Sequence, residues 1–270
     1  MRTALAAASI VIEAQGRGGA ARPDDCPRDP VSFHPCALAK AKTFTPPRTP
    51  DGHPDMQGFW RGQGGGVENI EEHAGNGDVN AGPTWVVDTP DGKVPYQPWA
   101  LEQRKENWEK YIDPNVSCLS SGVPRMLYTP GDITIAQTEE ALVLTHSRSH
   151  TFRVVPVGSS PRVDPSVRLW LGTSRGRWEG NTLVVDVVDF GEETWFDRAG
   201  NFHSPDLHVV ERYTRTGPDH LLYEVTIEDP KVFARPWNIS AILYRRIDPH
   251  VELLEYECYA YQLENEFTKK

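Results

Sequence analysis

Short segments in which apolar and polar residues alternate make up most of the chain after residue 130. Alternation with a period of two indicates half-buried β-strands, because successive side chains of a strand point to opposite faces. The segments with this pattern are residues 133–137, 141–150, 151–157, 167–171, 182–190, 207–215, 221–228, 241–247 and 252–261. Turn residues such as Gly217-Pro218-Asp219 separate several of them. The pattern predicts an all-β, mostly antiparallel fold, either a lipocalin-like β-barrel or a sandwich.

One segment, residues 98–111, has the helical period instead. Leu101, Trp108 and Ile112 follow one another at spacings of seven and four, with charged residues between them. Pro114 follows and marks the end of a helix. These residues predict one amphipathic helix with the three apolar side chains on a common face.

Composition and charge narrow the classes of partner. The chain has 270 residues, of which 24% are charged and 38% hydrophobic, and this is enough for one large β domain. The formal net charge of -10 argues against a nucleic-acid partner, because phosphate binding needs clustered Lys and Arg. No apolar run approaches the roughly 20 residues of a membrane-spanning helix. The expected partner is therefore a small molecule or a carbohydrate.

The N-terminus has the features of a secretory signal. Arg2 precedes an apolar run at residues 4–12, and Ala14-Gln15-Gly16 is a small-x-small cleavage site. A signal peptide is predicted over residues 1–16, and the protein is then secreted or periplasmic.

The rest of the chain divides into an arm and a domain. Residues 17–55 are rich in Gly, Ala and Pro, which predicts an extended N-terminal arm. Residues 56–264 are predicted to form a single β-barrel-like domain.

Four cysteines agree with export, because an even number in an exported protein favours disulfides. Cys26 and Cys36 bracket a short Pro-containing segment, whereas Cys118 and Cys258 are far apart in sequence. Four cysteines allow three connectivities. The pairing Cys26–Cys36 and Cys118–Cys258 is the favoured one.

Four stretches carry a family resemblance. They are HPDMQGFW at residues 53–60, SRGRWEGNTLVV at 174–185, LHVVER at 207–212 and EDP at 228–230. On these motifs the chain resembles a large group of exported soil-bacterial proteins of unassigned function. The resemblance extends over about residues 50–262. It implies export and a β-rich fold, and it brings no catalytic residues.

A row of basic side chains is predicted on one strand face. If residues 141–155 continue as one strand, alternation places His146, Arg148 and His150 on the same face, with apolar residues at both ends. Such groups are costly to bury without partners, so this face lines either a wet cavity or bulk solvent. On a regular strand the two imidazoles are about 13 Å apart and cannot share a metal ion.

The polar loop at residues 191–206 offers a second set. Asp197 and His203 are candidates for a carboxylate–imidazole pair that acts as a general base. Trp195 and Arg198 are candidate ligand-binding residues. No cofactor is expected, and the alternative is one divalent metal at His203 and His208.

Glu211 lies in the mostly apolar row of the strand at residues 207–215, together with Tyr213. A carboxylate there is either functional or paired with an arginine, and Arg148 is a plausible partner. Tyr213 and His208 are further candidates for ligand binding.

These residues predict an exported β-barrel enzyme that performs acid–base chemistry, of the elimination (lyase) or isomerase type, on a small or carbohydrate-like substrate. The predicted catalytic residues are His146, Arg148, His150, Asp197, His203 and Glu211. The basic row is expected to converge on the loop that carries Asp197 and His203. The alternative is a non-enzymatic lipocalin-like protein that binds a polar or anionic small ligand with the same residues.

Overall fold

The structure, a computed structural model, describes residues 26–27, 29–75 and 80–259. The predicted signal peptide and the start of the predicted arm lie outside these ranges. Within them, no helix combines the length and the apolar composition that crossing a membrane requires.

Nine antiparallel strands form one sheet in the order β4-β3-β2-β1-β9-β8-β7-β6-β5. The strands are β1 Gly58–Gly62, β2 Asp132–Gln137, β3 Ala141–His146, β4 Thr151–Pro156, β5 Thr173–Glu179, β6 Thr182–Val188, β7 His208–Gly217, β8 His220–Glu228 and β9 Trp237–Arg245. Two α-helices accompany them, α1 Pro30–Ala41 and α2 Pro98–Lys110. The sheet is nearly closed and barrel-like, which confirms the predicted mostly antiparallel β fold.

Several predicted strands are displaced or missing. Residues 167–171 form turns with one isolated bridge from Leu169 to Phe190, and the strand of this region is β5. No strand is assigned within residues 252–259, the described part of the last predicted strand. Both predictions rested on runs of apolar residues. In the structure most of these residues lie in turns or irregular backbone.

The two edge strands of the sheet, β4 and β5, approach each other, which leaves the barrel nearly closed. An odd number of antiparallel strands leaves the edge strands parallel to each other, and the bridge between Val157 and Gly176 is parallel. Gly158 N donates to Gly176 O at 3.0 Å. A Cβ at Gly176 would lie 3.2 Å from Val157 and 3.3 Å from Val155, so glycine permits this close approach. The two edges of the twisted sheet thus meet at a short contact without a regular hydrogen-bond ladder, which we call the seam.

A buried guanidinium reinforces this seam. Arg153 of β4 donates to Ser174 Oγ of β5 from Nε and Nη2, at 3.1 and 2.9 Å. The same group forms a bidentate pair with Glu211 of β7. The hydroxyls of Tyr213 and Tyr223 donate to Glu211 Oε1 at 3.0 and 2.6 Å. These five side chains satisfy one another across the interior, as burial of charge requires.

The electrostatics of this cluster fix the protonation states of Arg153 and the two tyrosines. Burial lowers the pKa of Arg153, but the charge of Glu211, its hydrogen bond and the two tyrosines together outweigh burial and hold that pKa above its ordinary value. Burial, and then the Glu211 carboxylate, raise the pKa values of Tyr213 and Tyr223 well above the usual range. Both tyrosines therefore remain neutral hydrogen-bond donors.

Apolar side chains fill the space around this cluster. Large, fully buried residues include Trp60, Trp85, Tyr128, Tyr223 and Trp237. The inward residues of the strands, such as Leu144, Val185 and Ile239, join them in one core. The interior of the barrel is therefore a packed core at these positions.

The predicted extended arm is wrong for residues 30–41, which form α1. Asp29 caps this helix by accepting from Ser32 N at 3.2 Å. Phe33 and Ala37 are buried with Leu222 and Ile242, on the outside of β8 and β9. Local composition indicated a loop because Pro and Gly surround the segment, but burial of this apolar stripe stabilises the helix.

Both predicted disulfides are present. Cys26–Cys36 ties the chain before α1 into that helix, and Cys118–Cys258 links two segments 140 positions apart. Two disulfides indicate an oxidising, extracellular environment.

The seam cluster predicts a large loss of stability for Arg153→Met. This change leaves Glu211 buried without its cation, and we expect the free energy of unfolding to decrease by about 3–5 kcal/mol in urea titrations. The double variant Arg153→Met/Glu211→Gln removes both charges and should recover at least about 1 kcal/mol of that loss. The control Arg177→Met, on the exposed face of β5, should change stability by less than about 0.5 kcal/mol. A value for Arg153→Met close to that of the control would contradict the assignment.

Candidate functional site

The predicted basic row does not exist as a row, because the strand is interrupted. β3 ends at His146, a 3-10 turn covers Arg148–His150, and β4 begins at Thr151. His146 and Thr151 face each other across the hairpin, five positions apart. The inward positions therefore change from even numbers in β3 to odd numbers in β4. Phe152, predicted on the same face as His146, is 68% exposed.

His146 is a structural residue. Its Nδ1 accepts from Arg148 N at 3.0 Å, and its Nε2 lies 3.3 Å from Thr129 O. The contact with Thr129 O requires a proton on Nε2. Nδ1 carries no proton because it accepts a hydrogen bond, so the ring is neutral. Burial, opposed by these two backbone contacts, lowers the pKa of His146. The ring terminates β3 and presents no free nitrogen to a ligand.

Arg148 and His150 lie outside the barrel, against the C-terminal segment. The Arg148 guanidinium lies over the ring of Tyr256 at 5.2 Å. His150 Nε2 is 3.0 Å from Tyr256 O and 3.2 Å from Glu257, and the side chain is 56% exposed. Cys258, two residues after Tyr256, is disulfide-bonded to Cys118. These contacts of Arg148 and His150 are with the C-terminal segment and not with Asp197 or His203.

Asp197 and His203 do not pair with each other. His203 contacts Thr194 Oγ1 through Nε2 at 2.8 Å and Ser204 O through Nδ1 at 2.9 Å. Its ring packs between Phe190 and Phe196. Burial lowers the pKa of His203, so the imidazole stays neutral. The predicted carboxylate–imidazole base is not formed.

His203 and His208, the alternative metal ligands, also have different partners. His208 bonds to Asp186 Oδ2 at 2.7 Å and lies 3.5 Å from Glu228 on the other side of the ring. His203 has the partners given above. Among the residues that the structure describes, no group of three or more His, Cys, Asp or Glu side chains is arranged to hold a metal ion.

Glu211 and Tyr213 belong to the seam cluster. The prediction that the carboxylate pairs with an arginine is correct, but the partner is Arg153 rather than Arg148. Both residues are buried and bonded to each other. They therefore stabilise the barrel interior and present no open face to a ligand.

A groove on the outside of the barrel brings one predicted residue, Arg198, into an accessible concave surface. It lies between α2, residues 68–74 and residues 198–199, and its volume is about 400 Å³. The lining residues are Glu68, Asn69, His73, Ala74, Arg104, Lys105, Trp108, Glu109, Arg198 and Ala199. We call this surface the α2 groove. Trp195, also predicted to bind a ligand, is half-buried, and its carbonyl accepts from Arg125 at 3.4 Å.

Buried Asp197 joins the two loops of the α2 groove. Its carboxylate accepts from Ile70 N at 2.8 Å and from the backbone and side-chain nitrogens of Asn201. Asn201 Nδ2 also lies 3.4 Å from Asn69 Oδ1, and Tyr96 OH donates to Asn201 Oδ1 at 2.9 Å. The loop at residues 197–201 is thereby fixed to the segment that carries Glu68 and Asn69.

Helix α2 is fixed to the same loop. Asn107 Nδ2 donates to Gly200 O at 3.2 Å. Gly200 has a φ of +82°, and a Cβ there would lie 2.8 Å from Arg104 O, so glycine is required for this approach. The helix consequently buries Ala100 and Asn107, not the predicted apolar face. Trp108 is 58% exposed and borders the groove instead.

Each cation of the α2 groove has a carboxylate partner. Arg198 Nη1 contacts both oxygens of Glu68, at 2.9 and 3.1 Å. Arg104 lies 3.4 Å from Glu71, and Lys105 lies 2.7 Å from Glu102. The result is a surface of alternating hydrogen-bond donors and acceptors with little net charge.

His73 completes the groove wall. Its Nδ1 lies 2.9 Å from Glu71 O, which places the proton of a neutral ring on Nδ1. Nε2 is then the acceptor. No sequence pattern connects residues 68–74 with the charged face of α2. The one signal that could have indicated this site is a tryptophan, Trp108, among the charged residues of the predicted helix.

Comparison with known proteins adds no assignment. No protein-family model matches the chain, and no curated protein is similar to it. The family resemblance of its four motifs remains a prediction. Several motif residues have structural roles here, since Ser174 and Glu211 bind Arg153, and Asp229 accepts from Ser204 N and Oγ.

Asp197 predicts a characteristic pH dependence of stability. Burial raises the pKa of Asp197 from 3.8 to about 6, against the opposing effect of its three N–H donors and Arg125. Between about pH 4 and pH 6 the folded chain keeps a proton that the unfolded chain has released. The contribution of this group to stability is therefore complete below about pH 4 and decreases by about 3 kcal/mol as the pH rises through 6.

We expect the difference in free energy of unfolding between wild type and Asp197→Asn to decrease by that amount from pH 4 to pH 7 in urea titrations. The lowered pKa values of His146 and His203 act in the opposite sense, but they are common to both proteins and cancel in the difference. A difference that is constant across this range would show that Asp197 does not titrate in it.

Proposed function

We propose that the protein binds a small polar ligand in the α2 groove. The groove volume of about 400 Å³ falls within the 300–1,000 Å³ range typical of small-molecule sites. Its walls combine one aromatic side chain with convergent polar groups, as such sites do. The supporting walls are rigid, because Asp197 and Asn107 fasten the loop to the segment before it and to α2.

The single observation that carries this proposal is the position of Trp108. More than half of this indole is exposed, yet it borders a concave surface lined by two arginines, a histidine and three oxygen-bearing side chains. An indole combines a large apolar face with a polar N–H and suits a ligand that has both kinds of surface.

The barrel interior is a less favourable place for a ligand. In a lipocalin-like binding mode the ligand occupies the inside of the barrel. Here the inward positions carry Trp60, Leu144 and Tyr223 in one packed core, and the Arg153–Glu211 pair crosses the interior. Displacing that pair would leave charges buried without partners. The outside groove requires no such rearrangement.

Acid–base catalysis is the second candidate function, and one observation favours it. His73 has the tautomer of a general base, with Nδ1 held by Glu71 O and Nε2 available, in the wall of the α2 groove. In this version the elimination or isomerisation predicted from the sequence takes place in the groove rather than at His150. His73→Gln would then abolish conversion of a compound added at concentrations that saturate the groove, followed by proton NMR.

We also propose that the protein is exported, to the periplasm or the cell exterior. Two disulfides support this, as does the signal-like sequence of residues 1–16. A ligand of such a protein comes from the surroundings of the cell.

A comparison of two tryptophans of α2 tests the binding proposal. We expect saturation-transfer NMR with a mixture of small glycosides, aromatic acids and amino acids to detect at least one bound class. Trp108→Ala should weaken that binding by at least about 10-fold, because about 1.4 kcal/mol of stacking is lost. Trp99→Ala is the matched control, since Trp99 is 54% exposed on the same helix but does not line the groove. Equal signals from both variants, or no bound class, would contradict the proposal.

A further inference from the structure

We infer that the α2 groove takes an uncharged saccharide, with one pyranose ring stacked on Trp108. This inference rests on the proposed binding function and adds the chemical class of the ligand. It excludes the anionic ligand that basic residues alone would suggest.

The first argument is the charge balance of the groove. Arg198, Arg104 and Lys105 would attract an anion if their charges were free, but each has a carboxylate within 3.4 Å. Glu109 adds another carboxylate to the lining. An anion entering the groove would therefore meet compensated cations and at least one like charge, in a protein whose net charge is already -10. A neutral ligand meets no such repulsion.

The polar side chains that the groove presents to a ligand also favour a saccharide. A sugar hydroxyl both donates and accepts a hydrogen bond, and neighbouring hydroxyls present several such groups at fixed spacing. The Arg198–Glu68 pair offers a guanidinium edge beside a carboxylate in the groove lining, which matches a vicinal diol.

The amide of Asn69 and the ring of His73 add directional groups. Asn69 Oδ1 accepts from Glu71 N at 2.9 Å, which leaves its Nδ2 to donate. His73 Nε2 is an acceptor because Nδ1 is held by Glu71 O. A ligand with hydroxyls at both ends can use both residues, whereas a simple carboxylate would use the donor and be repelled by the acceptor.

The third argument is the aromatic wall. Trp108 is the exposed aromatic residue of the lining, and an indole face packs well against the C–H face of a pyranose. Such a ring is apolar on its face and polar around its edge. The groove has the same arrangement, with Trp108 on one side and the paired arginines and glutamates on the other.

The test compares neutral and anionic probes of the same shape. Methyl β-D-glucopyranoside, methyl β-D-galactopyranoside and cellobiose are titrated against the full chain, together with D-glucuronate and benzoate as anionic probes. We expect at least one neutral glycoside to bind, with an affinity that changes less than about twofold between about 50 and 500 mM sodium chloride. Trp108→Ala should reduce that affinity at least 10-fold, and Trp99→Ala less than twofold.

A charge variant separates the two ligand classes further. Glu109→Gln raises the charge of the groove by one unit and removes none of the ion pairs described above. On this inference a neutral glycoside still binds Glu109→Gln more tightly than D-glucuronate and benzoate do. The inference is overturned if D-glucuronate or benzoate binds through Trp108 more tightly than every glycoside and gains affinity in Glu109→Gln. If no probe of either class depends on Trp108, the proposed binding function and this inference both fail.

Discussion

The guanidinium of Arg153 is the group that bonds the two edge strands of the nearly closed barrel to each other and to β7. Edge strands of a sheet expose unpaired backbone groups and are natural sites of wrong pairing. Here β4 and β5 meet along a seam with one regular bridge, and Arg153 adds side-chain bonds from β4 to Ser174 and Glu211. A buried ion pair contributes little net stability compared with apolar packing, but it is costly to break. Its contribution is therefore to specify which strands meet.

This closure has a consequence for function. Because the Arg153 cluster and the tryptophan-rich core fill the inside, the residues able to contact a ligand lie on the outer surface. Buried Asp197 in turn holds the two loops of the α2 groove together, because its carboxylate accepts from the backbone nitrogens of residues 70 and 201. A protein of this design can carry a polar site without opening its core. The core provides stability, and two loops and one helix form the groove in which we propose recognition.

The sequence predicted those features that depend on neighbouring residues. Alternation located β2, β3, β6, β7 and β8, and cysteine spacing indicated the two disulfides. Alternation failed at the turn after His146, where four residues reverse which positions face inward. It therefore placed His150 on the same face as His146, while the structure buries His146 and exposes His150. A turn of this length is not visible in a hydrophobic pattern.

Long-range partners were predicted less well for the same reason. The sequence indicated that Glu211 needs an arginine, but which arginine depends on the seam between two edge strands. The α2 groove combines segments about 30 and 90 positions apart from its helix, and no periodicity connects them. Arg198 was identified because its loop is rich in polar residues, whereas Arg104 and Lys105 resembled an ordinary solvated helix face.

The central claim is that ligand recognition takes place in the outer groove and not inside the barrel. The indole N–H signals of the eight tryptophans in a proton–nitrogen correlation spectrum report on both places at once. On addition of methyl β-D-glucopyranoside, the account predicts that the Trp108 signal shifts while the signal of buried Trp60 stays in place. A shift of Trp60 with an unchanged Trp108 would contradict it.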